Sequence, residues 1–229
     1  MRRAIVAVLA LLATGLTGCG MGDRVITGTA IGVAEDGTKS DAHERDTRTT
    51  VLEPVDADGF PARGWRVDPG RTGGSIDCSY PESSPSAVSD DIVRCTPNAA
   101  AADTCFAADD PGQALCLIDP FSNTVVEYAV AGAIAAVTAP ADPRPIGLVL
   151  DNGDKCRLRV GGAWSAPESH PDYVGYYSCD AAGDAAIWGP PEGGGIDESA
   201  SQWSVEYGWI TGQLTTQRVV EAFYTGRAE

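Results

Sequence analysis

The chain is poor in positive charge and in histidine. Its 229 residues include two histidines and 16 basic residues against 32 acidic ones, which gives a formal charge of −16. Such a chain repels phosphate backbones, so nucleic acid is excluded as a partner. No C-x-x-C motif and no G-x-S-x-G motif occurs. We therefore predict no metal ligand, no cofactor and no catalytic residue from motifs.

The chain also has no apolar run long enough to span a membrane, and the apolar run near its N-terminus is short. Arg2 and Arg3 precede ten apolar residues, Ala4 to Ala13, which are too few to span about 30 Å of hydrocarbon. They suit a signal peptide, and Leu16-Thr17-Gly18-Cys19 fits the cleavage pattern of bacterial lipoproteins. An ordinary secretory peptide that happens to end near a cysteine is the alternative.

This pattern predicts a signal peptide over 1–18 and a lipid-modified Cys19. Without 1–18 the chain keeps 14 basic and 32 acidic residues, a formal charge of −18. Anionic head groups would repel it, so membrane attachment is expected to come from the acyl chains on Cys19. The expected location is the extracytoplasmic face of the cell membrane.

The other cysteines are even in number, which in an exported chain predicts three disulfides. They are Cys78, Cys95, Cys105, Cys116, Cys156 and Cys179. Six cysteines allow 15 connectivities, and we favour sequential pairs because Cys105 and Cys116 flank a turn-rich stretch. A metal site is the alternative, but His43 and His170 lie far from the cysteines in sequence.

The remaining sequence predicts a polar tether over 19–64 and one mainly-β, disulfide-bonded domain over 65–229. Within the tether, Val25 to Val33 could form a strand. The domain has short segments rich in β-branched and aromatic residues. These candidate strands are 91–95, 114–118, 124–130, 146–150, 155–160, 174–178, 185–188, 203–208 and 219–224. Asn152-Gly153 predicts a tight hairpin turn, whereas 215–224 fits either a strand or a helix.

Several cysteine contexts resemble those of known exported proteins. They are Arg94-Cys95-Thr96-Pro97, Ala114-Leu115-Cys116, Cys156-Arg157-Leu158 and Gly175-Tyr176-Tyr177-Ser178-Cys179. Over roughly residues 75–225 the chain resembles a group of cysteine-containing actinobacterial, mycobacterial-type lipoproteins. The group has no established activity, so the resemblance implies a cell-envelope setting and supplies no catalytic residue. Phe106 and Phe121 stand where Trp is expected in relatives, which suggests packing.

Patterns that could carry catalysis or calcium binding are incomplete. Ser75 lacks the second glycine of a nucleophile elbow, and His170 lies in a proline-flanked loop. Asp56-Ala57-Asp58-Gly59 resembles part of an EF-hand loop, but Pro54 and Trp65 then occupy ligand positions. Carboxylates are so numerous that chance pairs are expected, and a glycoside hydrolase stays open on that ground alone.

Aromatic residues concentrate in the C-terminal third and could form a surface for sugars or a protein partner. The candidates are Trp164, Tyr176, Trp188 and Trp203, with the loop Gly189 to Gly195 as a possible rim. Core packing is the alternative. The uncharged run Ala129 to Ala139 is expected to be a buried strand pair, with a lipid pocket as the alternative.

Taken together, these features favour a non-catalytic binding or interaction module on the membrane surface. Its partner would be an envelope protein or a glycan. Two alternatives stay open: an envelope hydrolase acting on glycans or peptides, and a carrier of lipid or another small ligand.

Overall fold

The structure, a computed structural model, describes residues 46–71, 73–96, 102–161, 165–181 and 183–228. In these residues it is all-β, and thirteen strands form two small β-barrels. Barrel one is formed by β2 (Arg66–Val67), β3 (Ser75–Ser83), β4 (Val93–Thr96), β5 (Cys105–Ala107), β6 (Gln113–Cys116) and β7 (Thr124–Ala131). Barrel two is formed by β8 (Gly147–Leu150), β9 (Lys155–Leu158), β10 (Val174–Cys179), β11 (Ala186–Gly189), β12 (Ser204–Gly208) and β13 (Thr215–Thr225), with β1 (Arg48–Leu52) added beside β13.

Both barrels are meanders, and the number of strands decides how each one closes. Successive antiparallel strands alternate in direction. The six strands β8 to β13 therefore close with β13 antiparallel to β8. The five strands β3 to β7 close with β7 parallel to β3. Closure removes most of the exposed sheet edges that would otherwise invite pairing with another chain.

Each barrel has its own apolar core, so the prediction of a single domain over 65–229 is wrong. The core of barrel two includes Leu148, Tyr177 and Ile187, all essentially inaccessible. In barrel one, alternate residues face two different apolar clusters, with Val93 in one and Phe106 in the other. Strand patterns are local, whereas the pairings that divide the strands between two barrels are not, which is why the sequence did not reveal the division.

The described part of the expected tether, 46–64, belongs to the fold and therefore corrects the 19–64 boundary. β1 pairs in parallel with β13 from Arg48 opposite Glu221 to Leu52 opposite Thr225. Val55 is completely buried in a core cluster of barrel one. The polar sequence of β1 reflects its place at the end of the sheet, where three of its five side chains are exposed.

The nine predicted strand segments all coincide with strands, and the ambiguous 215–224 is strand β13. The Asn152-Gly153 hairpin is confirmed: Gly153 has φ +90°, and its N–H donates to the Leu150 carbonyl at 3.0 Å. The expected buried strand pair over 129–139 is wrong. β7 ends at Ala131, and the following residues are largely exposed coil.

Candidate functional site

The three sequential disulfides are confirmed, and each joins neighbouring strands within one barrel. Cys105 and Cys116 are direct partners in the β5–β6 register, with Cα atoms 4.0 Å apart. Cys156 and Cys179 are partners in the β9–β10 register, with Cα atoms 3.9 Å apart. The third bond, Cys78–Cys95, joins β3 to β4. Three disulfides are typical of a protein that folds outside the cytoplasm.

The predicted aromatic residues lie on one barrel but not on one open surface. Tyr176 and Trp188, on the paired strands β10 and β11, are 8% and 2% exposed. The Trp188 indole N–H donates to the Gly208 carbonyl at 3.0 Å, which satisfies the polar atom of this buried side chain. Trp203 is half-buried against the same core. Trp164 and the expected lipid-attachment residue Cys19 lie outside the described residues.

A glycine-rich loop, residues 190–196, crosses the outside of this barrel and is here called the strap. The Tyr176 hydroxyl donates to the Pro190 carbonyl at 2.6 Å, which fixes one end of the strap. At the other end Gly195 has φ +82°, and a Cβ there would lie 2.8 Å from Cδ2 of Tyr176. Only glycine accepts both that conformation and that close contact. Tyr176 therefore anchors the strap at both ends.

Two clefts open on either side of the strap and share Gly193 and Ile196. The acidic cleft, about 420 Å³, is lined by Tyr176 and the charged side chains of Asp142, Arg144, Glu192 and Glu198. The aromatic cleft, about 380 Å³, is lined by Tyr173, Trp188, Asp197, Ser204 and Glu206. Both volumes fall within the range of small-ligand sites in proteins.

Carboxylates dominate the electrostatics of both clefts. Partial burial and the neighbouring charge of Asp142 raise the pKa of Glu198. Burial, together with the same two carboxylates, raises the pKa of the nearby Tyr224 hydroxyl to about 12. By contrast, hydrogen bonds from Ser199 lower the pKa of Asp197, whose Oδ1 accepts the Ser199 N–H at 3.0 Å. The neighbouring carboxyls Glu198 and Asp197 are therefore shifted in opposite directions, the first toward its neutral form and the second toward its charged form.

Ser75 and His170, the candidate residues for a serine hydrolase, lie in different barrels. Ser75 begins β3 in barrel one, whereas His170 precedes β10 in barrel two. The ring of His170 stacks on Tyr173 at 4.5 Å between centroids, and its Nδ1 lies 3.1 Å from the Ser169 hydroxyl. In the described residues, no group of three or more His, Cys, Asp or Glu side chains is placed to hold a metal ion. These residues also include no helix long and apolar enough to cross a membrane.

The sequence predicted the glycine-rich loop of this site but not its acidic residues. The Gly189 to Gly195 loop was a candidate rim because it follows Trp188, and the strap does separate the two clefts. The acidic residues Asp142 and Glu198 are 56 positions apart in the sequence. The tertiary fold brings them to one cleft, and no local pattern distinguishes them from the many other carboxylates of the chain.

No protein-family model matches the sequence, and comparisons with curated proteins and with solved structures also return no match.

Proposed function

We propose that this protein is a non-catalytic binding module of the cell envelope, tethered to the membrane by acyl chains on Cys19. The observation that carries the proposal is the pair of clefts on barrel two, separated by a strap that Tyr176 anchors at both ends. A preorganised cleft binds more tightly than a flexible surface because less conformational entropy is lost on binding. An envelope protein or a glycan is the proposed partner.

The lipid tether is supported by the sequence from Arg2 to Cys19, and the three disulfides agree with the same compartment. The resemblance of residues 75–225 to exported actinobacterial proteins points to the same setting. Replacing Cys19 by Ser should release the full-length protein from membrane fractions, because acylation requires the thiol. The control Thr17→Ser keeps a small residue before the cleavage site and should stay membrane-bound. Retention of Cys19→Ser in the membrane would refute the tether.

Photo-crosslinking in intact cells tests the binding site. A photoreactive amino acid at Glu192 places the probe on the strap, and one at Pro111 places it on an exposed turn of barrel one. We expect a discrete adduct from position 192 and none from position 111. Equal labelling at both positions, or none at 192, would contradict the proposed site.

Hydrolysis of a glycan is the second candidate function, and one observation favours it. Glu198, whose pKa is raised, lines the same cleft as Asp142, and that cleft is large enough for a sugar. A carboxyl with a raised pKa can act as a general acid. A screen of the full-length protein on cell-wall glycans tests this. Turnover that falls at least about 100-fold in Glu198→Gln would favour the hydrolase over the binding module.

A further inference from the structure

The two clefts are positioned to hold one ligand. They share Gly193 and Ile196 of the strap, and each is lined in part by one of two paired strands, β10 or β11. Tyr176 lines one cleft and Trp188 lines the other. A ligand longer than either cleft can therefore cross the strap and occupy both.

The side chains that line the two clefts are mostly acidic, which favours a positively charged ligand. Five carboxylates line the two clefts, and a single guanidinium, that of Arg144, opposes them. The acids are divided between the clefts: Asp142, Glu192 and Glu198 line one, and Asp197 and Glu206 line the other. Each cleft can therefore pair with one positively charged group of a ligand.

Both clefts also have aromatic side chains in their lining, which favours an organic cation over a neutral ligand. Tyr173 and Trp188 line the aromatic cleft, and Tyr176 lines the acidic one. Aromatic faces attract ammonium and guanidinium groups, most strongly where water is partly excluded. Carboxylates beside aromatic walls recur where proteins hold amines, because the ring covers the alkyl stem while the carboxylate pairs with the charge.

We propose that the paired clefts bind an extended organic cation with at least two ammonium groups, one in each cleft, with the connecting chain crossing the strap. This inference names a ligand class for the proposed binding module and rests on that function. Tyr176 fixes the strap between the two charge-binding positions. The spacing of the ammonium groups should therefore matter as much as their number.

Calorimetric titration of the full-length protein with spermine and with tetra-lysine peptide tests the proposal. The two probes distinguish a polyamine from a basic peptide as the source of the same chemistry. We expect at least one of them to bind, its fully N-acetylated form not to bind, and its affinity to fall with added salt because the pairing is electrostatic. Spermine should bind more tightly than propylamine by more than a factor of two.

The double variant Glu198→Gln/Glu206→Gln removes one carboxylate from each cleft and keeps side-chain shape. In the wild-type chain the Thr216 hydroxyl donates a hydrogen bond to Glu206 at 2.9 Å, and the amide oxygen introduced by the substitution can still accept it. The matched control Asp58→Asn/Asp109→Asn removes the same charge from exposed positions of barrel one. We expect affinity to fall at least about tenfold in the cleft variant, for two weakened ion pairs, and less than twofold in the control.

Absence of binding by both probes, or an equal loss in both double variants, would overturn the cationic ligand. The crosslinking experiment at Glu192 separates this failure from that of the proposed function. An adduct at 192 with an uncharged partner would keep the binding module and refute the ligand class. Absence of both the adduct and cation binding would refute the two together.

Discussion

Arg157 of barrel two donates a hydrogen bond of 2.7 Å from Nη1 to the backbone carbonyl of Ile118, which follows β6 of barrel one. Arg157 lies on β9 between the buried residues Cys156 and Leu158 and is itself only half-exposed. Burial lowers the pKa of its guanidinium, which stays charged because an arginine pKa lies so far above neutrality. No disulfide joins the two barrels in the described residues, so their association depends on contacts such as this one.

Arg157→Met should destabilise the full chain by about 1–3 kcal/mol, because Met keeps the apolar stem but removes a charge-assisted hydrogen bond to a buried carbonyl. Hydrogen exchange should increase in β6 and β9 together, since both sides of the contact lose their partner. Arg66→Met, at an exposed position of β2, is the control and should leave exchange unchanged. Increased exchange in β9 alone would show that Arg157 does not hold the barrels together.

Local sequence patterns were sufficient to predict most of the strands. The division into two barrels could not be predicted, because it depends on pairings between strands that are distant in the sequence. Asn152-Gly153 specifies a hairpin by itself, and the φ of Gly153 confirms it. β3 went unpredicted because Pro81 lies within it; the register with β4 shifts between Asp77 and Glu82, the kind of irregularity that accommodates proline. Closure of barrel two joins β8 to β13, which are separated by most of the C-terminal half, and no local pattern encodes that pairing.

Tyr176→Phe should loosen the strap without unfolding the barrel. The change removes only the hydroxyl that donates to Pro190, so we expect a loss of about 1 kcal/mol in the free energy of unfolding. Hydrogen exchange should rise over 190–196 and stay the same in β10. The control Tyr80→Phe changes the same atom at a side chain that is 93% exposed. If both variants behave alike, the Tyr176 hydroxyl does not fix the strap.

Removing the Cys156–Cys179 disulfide should destabilise barrel two first. The double variant Cys156→Ser/Cys179→Ser opens a loop with a sequence separation of 23, for which chain entropy predicts a loss of about 3 kcal/mol. Urea denaturation measures that loss, and hydrogen exchange locates it in β9 and β10. Cys105→Ser/Cys116→Ser, with a separation of 11, should cost slightly less and act on β5 and β6. Identical exchange patterns in the two variants would contradict separate barrels.

Alkaline pH should destabilise the fold through the tyrosines of barrel two whose pKa is raised, Tyr177, Tyr207 and Tyr224. Burial raises the pKa of Tyr207 to about 12, aided by its hydrogen bond to Asp154, and raises that of Tyr224 to about 12. Unfolded tyrosine titrates near pH 10. The neutral folded form is therefore favoured fully below about pH 10, and its stabilisation is lost as pH rises from about 10 to 12. The urea midpoint should fall over this range, and less steeply in Tyr207→Phe. Equal slopes would exclude Tyr207 as a contributor.

At acidic pH the first strand should detach before either barrel opens. Glu221 of β13 accepts hydrogen bonds from Arg48 Nε at 3.0 Å and from the Thr50 hydroxyl at 2.7 Å, both on β1. These hydrogen bonds and the Arg48 charge lower the pKa of Glu221 below its ordinary value of 4.5. The folded pKa is depressed, so the stabilisation is present above about pH 4.5 and is lost as pH falls through the folded pKa.

Hydrogen exchange of Arg48–Leu52 should therefore increase between pH 5 and pH 3, after correction for the intrinsic exchange rate. Glu221→Gln should show the increased exchange already at pH 7 and little further change on acidification, because it lacks the titrating charge. Glu53→Gln, an exposed carboxylate just after β1, is the matched control and should behave as the unmodified protein. If Glu221→Gln keeps the pH dependence of the unmodified protein, another carboxylate holds β1 in place.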